Sequence, residues 1–277
     1  MDRAPQKFRN VLTSAVSKWS QAMSVEQRWD FKFSLPEQPG GKLVELSFAE
    51  IEELLLNRLR EARGDKKDAL WQLARFYSHA KQQEPALDYL RQVLALQPDT
   101  EHKAATVLAM GQTMEQVGDY ESAVRYYREA FALEPMHTPT WYFINNNLGF
   151  SLNALGRFDE GEPFCRAAIA IDGRRPNGFK NLGIALRGQG RFVEAAECFV
   201  KATQADASDA RALKLLEELL EQHPELAFDF ASALECCRKA VEVARERWEA
   251  VQPVRGWRKR LFLLRTRVVS WWKRLRS

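Results

Sequence analysis

An internal repeat with a period of about 34 residues constrains this chain more than any other feature. The two clearest copies share the order Leu-Gly, Leu and Gly-Arg-Phe, which occurs as Leu148-Gly149, Leu152 and Gly156-Arg157-Phe158, and again as Leu182-Gly183, Leu186 and Gly190-Arg191-Phe192. Because a short repeated unit cannot bury an apolar face alone, repeats of this length stack on their neighbours. The sequence therefore predicts a repeat array and not an ordinary globular domain.

Each copy has the pattern of two helices joined by a tight turn. Its apolar residues recur at intervals of three and four, which places them on one face of each helix. Small residues such as Gly149 and Gly183 allow the backbones of two helices to approach closely. Gly118, Gly156 and Gly190 favour the positive φ that ends a helix. We therefore expect a helical hairpin in every copy.

Four successive copies are predicted, over residues 67–100, 104–137, 142–175 and 176–208. The positions that define the pattern are occupied in the first copy by Leu70, Leu73, Ala74, Tyr77, Ala86, Leu90 and Pro98. This order resembles the tetratricopeptide repeat family, and the resemblance covers about half of the chain. It implies an all-α fold, in which the hairpins form a right-handed α-solenoid with a concave and a convex face.

The flanking segments are predicted to cap this array. Residues 47–66 form an N-terminal capping helix, which opens with a capping box from Ser47 to Glu50. Residues 209–252 form C-terminal capping helices, with a break at Pro224. Residues 1–46 form an arm, composed of a short amphipathic helix and an extended segment that ends near Pro36. Residues 253–277 form a basic amphipathic tail.

The sequence lacks the patterns that catalysis and metal binding require. The four histidines stand at least 23 residues apart, without the spacing of metal ligands. Gly188-Gln189-Gly190 begins like a dinucleotide-binding loop, but Val193 replaces the third glycine. Cys165 and Cys198 fall on second helices of hairpins, where packing explains them. We therefore predict that the chain is not an enzyme and uses no cofactor, metal or small-molecule substrate.

The family resemblance implies that the first helix of each repeat lines a groove for a peptide or a partner helix. By position, the groove residues are Trp71, Arg75, Leu108, Gln112, Asn146, Phe150, Asn153, Lys180, Asn181, Ile184, Arg187, Arg211 and Lys214. Asn181 and Arg211 match two positions of the carboxylate-clamping subgroup of the family. Trp71, Asn146 and Phe150 stand where that set needs Lys or Asn, so binding of a chaperone tail is not predicted.

The groove residues toward repeats 3 and 4 are the most basic. Lys180, Arg187, Arg211 and Lys214 supply charge-assisted donors that favour carboxylates. Asparagines can pair with a peptide backbone as both donor and acceptor. We therefore predict an acidic segment or a chain terminus as the ligand. The alternative is that these are only solvated polar positions on a concave wall.

The tail is the second functional signal. Residues 254–277 hold nine basic residues and no acidic residue. The tail residues predicted to bind a membrane or a partner are Trp257, Arg258, Lys259, Arg260, Leu261, Leu264, Arg265, Arg267, Val268, Trp271, Trp272, Lys273, Arg274 and Leu275. The apolar members recur at intervals of three and four, so they share one helix face. An anionic membrane surface, a partner and the acidic body of the protein remain open as ligands. Nucleic acid is the least favoured, because only the tail is basic.

These features predict a non-catalytic adaptor, scaffold or assembly factor that binds a protein segment in its groove. Apolar runs fall far short of the roughly 20 residues that a spanning helix needs, and the first ten residues are polar. We therefore expect a cytoplasmic protein, peripheral on the inner face of a membrane if the tail binds lipid. The alternative is a regulatory or substrate-selecting subunit of an enzyme complex whose catalytic site is on another chain.

Overall fold

The computed structural model describes the backbone of residues 33–36, 43–62, 64 and 66–263, and the side chains of residues 47–62, 64 and 66–250. Over these residues the chain is helical apart from one short hairpin, which confirms the all-α class. Strands β1 (Phe33–Pro36) and β2 (Leu43–Leu46) pair antiparallel, with Phe33 opposite Leu46. The chain divides into two compact units, Met1–Ser151 and Leu152–Ser277.

The first unit begins its helical part with helix α1 (Phe48–Glu61). The predicted capping box is present, because the backbone N–H of Glu50 donates to Ser47 Oγ and the backbone N–H of Ser47 donates to Glu50 Oε2. Ile51 and Leu55 of α1 are buried in a cluster with residues of the first hairpin. The ring centroids of Phe48 and Phe76 lie 4.5 Å apart. Helix α1 therefore packs against the first hairpin.

The remaining helices of this unit are α2 (Lys67–His79), α3 (Gln83–Ala95), α4 (Thr100–Gln116), α5 (Tyr120–Phe131) and α6 (Thr138–Ala154), of which α6 crosses into the second unit. Helix α2 packs on α3, and α4 packs on α5. Gly118 turns between α4 and α5 with a φ of 82°, the left-handed conformation that glycine adopts without strain. The turn between α2 and α3 uses Lys81 instead, with a φ of 56°.

The second unit contains α7 (Phe158–Ile171), α8 (Pro176–Gly188), α9 (Phe192–Ala205), α10 (Arg211–Gln222) and α11 (Ala227–Leu263), with a short 3-10 turn at Pro224–Leu226. Helix α8 packs on α9, α9 on α10, and α11 on both α9 and α10. Their shared core centres on Leu186, Phe199, Leu216 and Leu219. Helix α11 continues through residue 252, the predicted boundary between the C-terminal caps and the tail.

Two glycine–aromatic contacts set the distance between paired helices. A Cβ atom at Gly111 of α4 would lie 2.4 Å from Cε1 of Tyr127 on α5. A Cβ atom at Gly183 of α8 would lie 2.6 Å from Cε1 of Phe199 on α9. Tyr127 and Phe199 are fully buried, so neither ring can move aside into solvent. The small residue and the large ring therefore fit together as one packing unit in each hairpin.

We predict that Gly183→Ala destabilises the protein although alanine is the better helix former. The gain in helix propensity is about 1 kcal/mol, whereas overpacking a closed core costs about 1–3 kcal/mol. At a separation of 2.6 Å, we expect a net loss of roughly 1–2 kcal/mol in the free energy of unfolding, measured by urea titration. In a Phe199→Leu background the loss should shrink. An equal loss in both backgrounds would show that the contact is not its cause.

Candidate protein-binding surface

The predicted groove residues of the first unit lie on the three helices α2, α4 and α6. Trp71, Arg75 and Gln112 are partly exposed, and burial lowers the pKa of the Arg75 guanidinium. Leu108 is only 7% exposed. The ring of Phe150 meets that of Tyr120 edge to face, with centroids 6.0 Å apart. On these helices the first unit therefore presents aromatic side chains and few charged ones.

A buried polar layer lies behind part of this wall. Tyr127 Oη donates to Glu115 Oε2 over 2.7 Å. Burial raises the pKa of Glu115 to about 7, against the lowering effect of the hydrogen bond from Tyr127. The side chain of Asn147 pairs with Tyr127. Helices α4, α5 and α6 are thus joined by polar contacts inside the first unit.

Three asparagines in the predicted groove set need correction. Asn146, Asn153 and Asn181 were expected to contact the backbone of a bound chain, but all three are buried. Asn146 Nδ2 donates to Oδ1 of its neighbour Asn147 over 3.0 Å. Asn153 Nδ2 donates to the backbone carbonyl of Asn181 over 2.8 Å, which ties the end of α6 to α8. The amide nitrogens of Asn146 and Asn153 therefore serve contacts within the protein, because a buried amide must find a partner close by.

The predicted basic residues of the second unit lie together on α8 and α10. We call Lys180, Arg187, Arg211 and Lys214 the basic wall. The side chains of Arg211 and Lys214 are 70% and 77% exposed. Burial, and then the nearby charge of Arg211, lowers the pKa of Lys180, whose Nζ donates to Asn177 Oδ1 over 2.9 Å.

Three acidic residues accompany the basic wall. Arg211 is held by Asp209 over 2.6 Å, and the charge of Asp206 also acts on it. Glu218 lies 3.9 Å from Arg187 and 3.6 Å from Lys214, at the outer limit of an ion pair. Four bases and three acids leave a local charge of +1. The remaining predicted residue here, Ile184, is partly buried against the apolar core, so the wall is charged above an apolar base.

One charged cluster was not singled out from the sequence. Glu162 of α7 accepts hydrogen bonds from Arg191, Gln189 and Arg166 over 2.7–2.9 Å. Arg191 also pairs with Glu194, as Arg157 does with Glu160 at the start of α7. The repeated Arg-x-x-Glu spacing was the available signal. The cluster links α7 to the turn before α9. Its acidic and basic side chains pair with one another.

The predicted packing role of the cysteines agrees with their surroundings. Cys165 is fully buried, and burial raises its pKa to about 12. Burial likewise raises the pKa of Cys198 to about 11. Both thiols therefore stay protonated near neutral pH, which disfavours a nucleophile or a metal ligand. In the part of the chain that the structure describes, acidic, histidine and cysteine side chains form no cluster suited to a metal ion.

The predicted tail from Trp257 to Leu275 lies outside the described residues as far as its side chains are concerned. The backbone of α11 is helical up to Leu263. Within the described residues, none of the helices has the length and apolar character needed to cross a membrane.

The structure consists of helix hairpins that pack through small residues. Their first helices carry polar side chains. This arrangement is that of a helical-repeat protein of the kind that binds other proteins. Residues 68–100 and 104–137 match sequence models of the tetratricopeptide repeat. Two stretches of the chain therefore carry the tetratricopeptide repeat, as the sequence resemblance implied. Proteins of this family are generally non-catalytic interaction modules that bind proteins or peptides.

Two curated relatives carry the same repeat. Tetratricopeptide repeat protein 7B of Homo sapiens is 33% identical over 98 residues, which are 35% of this chain and 11% of that protein. Small glutamine-rich tetratricopeptide repeat-containing protein 2 of Mycosarcoma maydis is 32% identical over 120 residues, which are 43% of this chain and 33% of that protein. The chain therefore spans a third or less of the length of these relatives.

Solved structures support the fold. MamA 41-end from Desulfovibrio magneticus RS-1 aligns with a TM-score of 0.53 and 22% identity, over 67% of this chain and 98% of that chain. A MamA RS-1 ArsTM double mutant aligns with a TM-score of 0.53 and 20% identity, over 68% and 99%. At this identity the likeness extends to the helical-repeat fold alone.

We predict that Glu115 makes the stability of the protein depend on pH. Its pKa is raised to about 7 in the folded state, above the value of about 4.3 for a free glutamate. The folded state therefore holds the proton more tightly, so its stabilising contribution is complete below pH ~4.3 and is lost as the pH rises through about 7. We expect the free energy of unfolding to fall between pH 5 and pH 8 by on the order of 1–2 kcal/mol more in the wild type than in Glu115→Gln.

Urea unfolding at both pH values measures this difference, since glutamine keeps the acceptor for Tyr127. Glu129→Gln, at an exposed position on α5, is the matched control and should keep the wild-type pH dependence. If Glu115→Gln also kept it, the buried carboxyl would not be its source.

Proposed function

We propose that this chain is a non-catalytic adaptor or scaffold that binds an extended acidic segment, or the carboxy terminus of another protein, on the basic wall of its second unit. The supporting observation is that four basic side chains lie on two neighbouring helices and outnumber the acids that act on them, which are Asp206, Asp209 and Glu218. This pattern of fixed charge attracts carboxylates, and the repeat family supplies the precedent for binding peptides.

The looseness of the ion pairs made by Glu218 supports its exchange for a ligand carboxylate. Glu218 lies 3.6–3.9 Å from Lys214 and Arg187, and exposed pairs of this kind contribute about 0–1 kcal/mol. A ligand carboxylate can therefore replace Glu218 at little cost. A bidentate pair with Arg187 would be shorter and stronger than the present contact.

Lys180 adds an argument from desolvation. Burial disfavours its charged form, so the folded protein holds an ammonium group that has lost part of its hydration. An anion placed beside it would restore favourable electrostatics, and this gain appears only in the complex. The partly buried Ile184 and Leu215 lie on the same two helices and offer apolar contact. A segment that alternates acidic and apolar residues therefore fits the surface.

We predict that reversing charge on the basic wall abolishes this binding. The probe is a fluorescein-labelled peptide with four consecutive acidic residues and a free carboxy terminus, followed by anisotropy. Lys180→Glu/Arg211→Glu should weaken binding by at least about tenfold, because each lost charge-assisted contact is worth roughly 1.5–3 kcal/mol.

The matched control is Lys201→Glu/Lys239→Glu, which makes the same change of charge at exposed positions on α9 and α11. It should bind the peptide like the wild type, and the basic tail is identical in both variants. Equal weakening in the two variants would mean that net charge, and not the wall, attracts the peptide.

We propose in addition that the basic tail holds the protein at the inner, cytoplasmic face of an anionic membrane. The support is its sequence alone: nine basic residues without an acid between residues 254 and 277, with Trp257 and Trp271 at helical spacing. Aromatic anchors beside basic residues suit the interface, where each basic residue adds about 1 kcal/mol.

Flotation with vesicles of phosphatidylcholine and phosphatidylserine is the test. We expect the full chain to float with the vesicles and a chain ending at Gln252 to remain at the bottom. Vesicles of phosphatidylcholine alone are the control and should carry neither chain, because the attraction is electrostatic. Equal flotation of both chains would refute the role of the tail.

A further inference from the structure

Helix α11 carries one apolar stripe along its length. The stripe consists of Phe230, Leu234, Cys237, Val241, Ala244 and Trp248. These residues follow one another at intervals of four and three, so they share a single helix face. The two halves of this face differ in what covers them.

The first half of the stripe is covered by the second unit. Phe230 and Leu234 pack against the core formed by α8, α9 and α10. Cys237 is 1% exposed. Beside the stripe, Arg238 Nε donates to Glu217 Oε1 of α10 over 2.7 Å. This half therefore shows how α11 receives another helix: apolar contact along the stripe, with an acid of that helix against a flanking arginine.

The second half of the stripe has the same design without a covering helix among the described residues. Trp248 is 59% exposed, which is unusual for the largest apolar side chain. Arg245 follows Arg238 by seven residues and so occupies the same position beside the stripe. Its acidic neighbours are Glu242 and Glu249 of its own helix, at 3.9 Å and 4.0 Å.

We propose that Val241, Ala244 and Trp248 form a second interaction surface, which binds an amphipathic helix of another protein with an apolar stripe and acidic flanks. The surface continues an interface that the molecule already makes. Trp248 is the anchor, since buried tryptophans dominate the binding energy of such interfaces. An acid of the partner meets Arg245 as Glu217 meets Arg238.

Charge selects this partner over a second copy of the chain. Arg245 and Arg247 flank the stripe on its two sides. Pairing two copies along their stripes would bring these arginines together, which is destabilising in a helix pair. The helix that supplies Glu217, α10, is already packed inside its own unit, and the acids Glu242 and Glu249 of a second copy already lie beside that copy's own Arg245.

The test uses two labelled synthetic helices of about three heptads with leucine at the apolar positions. One has glutamate and the other has lysine at the flanking positions. Anisotropy with the full-length protein should show binding of the glutamate peptide only. Trp248→Ala should weaken it at least tenfold, with no change in the thermal midpoint, because Trp248 is exposed.

Arg245→Glu is the second variant and should reverse the preference, so that the lysine peptide binds better. Lys239→Glu makes the same change of charge at an exposed position on the other side of α11 and should bind like the wild type. Lys180→Glu/Arg211→Glu should also leave this binding unchanged, which separates it from the basic wall. Unaltered binding by Trp248→Ala, equal effects of Arg245→Glu and Lys239→Glu, or a dimer in sedimentation velocity that depends on Trp248 would each overturn the proposal.

Discussion

The fit of a ring over a missing side chain determines how close the helices of a hairpin come. Tyr127 lies over Gly111, and Phe199 lies over Gly183. Interiors of proteins are packed as densely as organic crystals, so a helix pair built on such a contact has little freedom to shift. With this spacing fixed, the position of each residue along the first helix of a hairpin decides whether its side chain is exposed. The proposed basic wall consists of side chains on α8 and α10.

The two units use this common framework differently. In the first, the asparagines behind the wall and the pair formed by Tyr127 and Glu115 satisfy one another inside the protein. In the second, Asp209 pairs closely with Arg211, whereas Glu218 lies 3.6–3.9 Å from Lys214 and Arg187. Salt screens exposed charges over a distance of about 10 Å, whereas apolar and aromatic surfaces are insensitive to it. We therefore expect binding at the proposed basic wall to depend on ionic strength more than contacts with the aromatic side chains of the first unit do.

Local signals in the sequence predicted the elements, and contacts between distant residues decided the site. The capping box at Ser47 and the turn at Gly118 each depend on a few neighbouring residues, and both were correctly placed. The role of Asn153 depends on the carbonyl of Asn181, 28 residues away, which spacing cannot reveal. The tail was expected to be helical, but the continuity of α11 past residue 252 was not predicted, since Pro253 lacks a backbone N–H and favours a helix end.

The continuous helix α11 fixes the distance between the residues along it. From Cys237, at the edge of the core, to Trp248 there are 11 residues, or about 16 Å at 1.5 Å per residue. The partner that we propose for Trp248 would therefore lie at that distance from the core and on one side of the helix. Insertion of a single residue between the two would rotate the tryptophan by roughly 100° around the helix axis and take it off the face that Cys237 occupies.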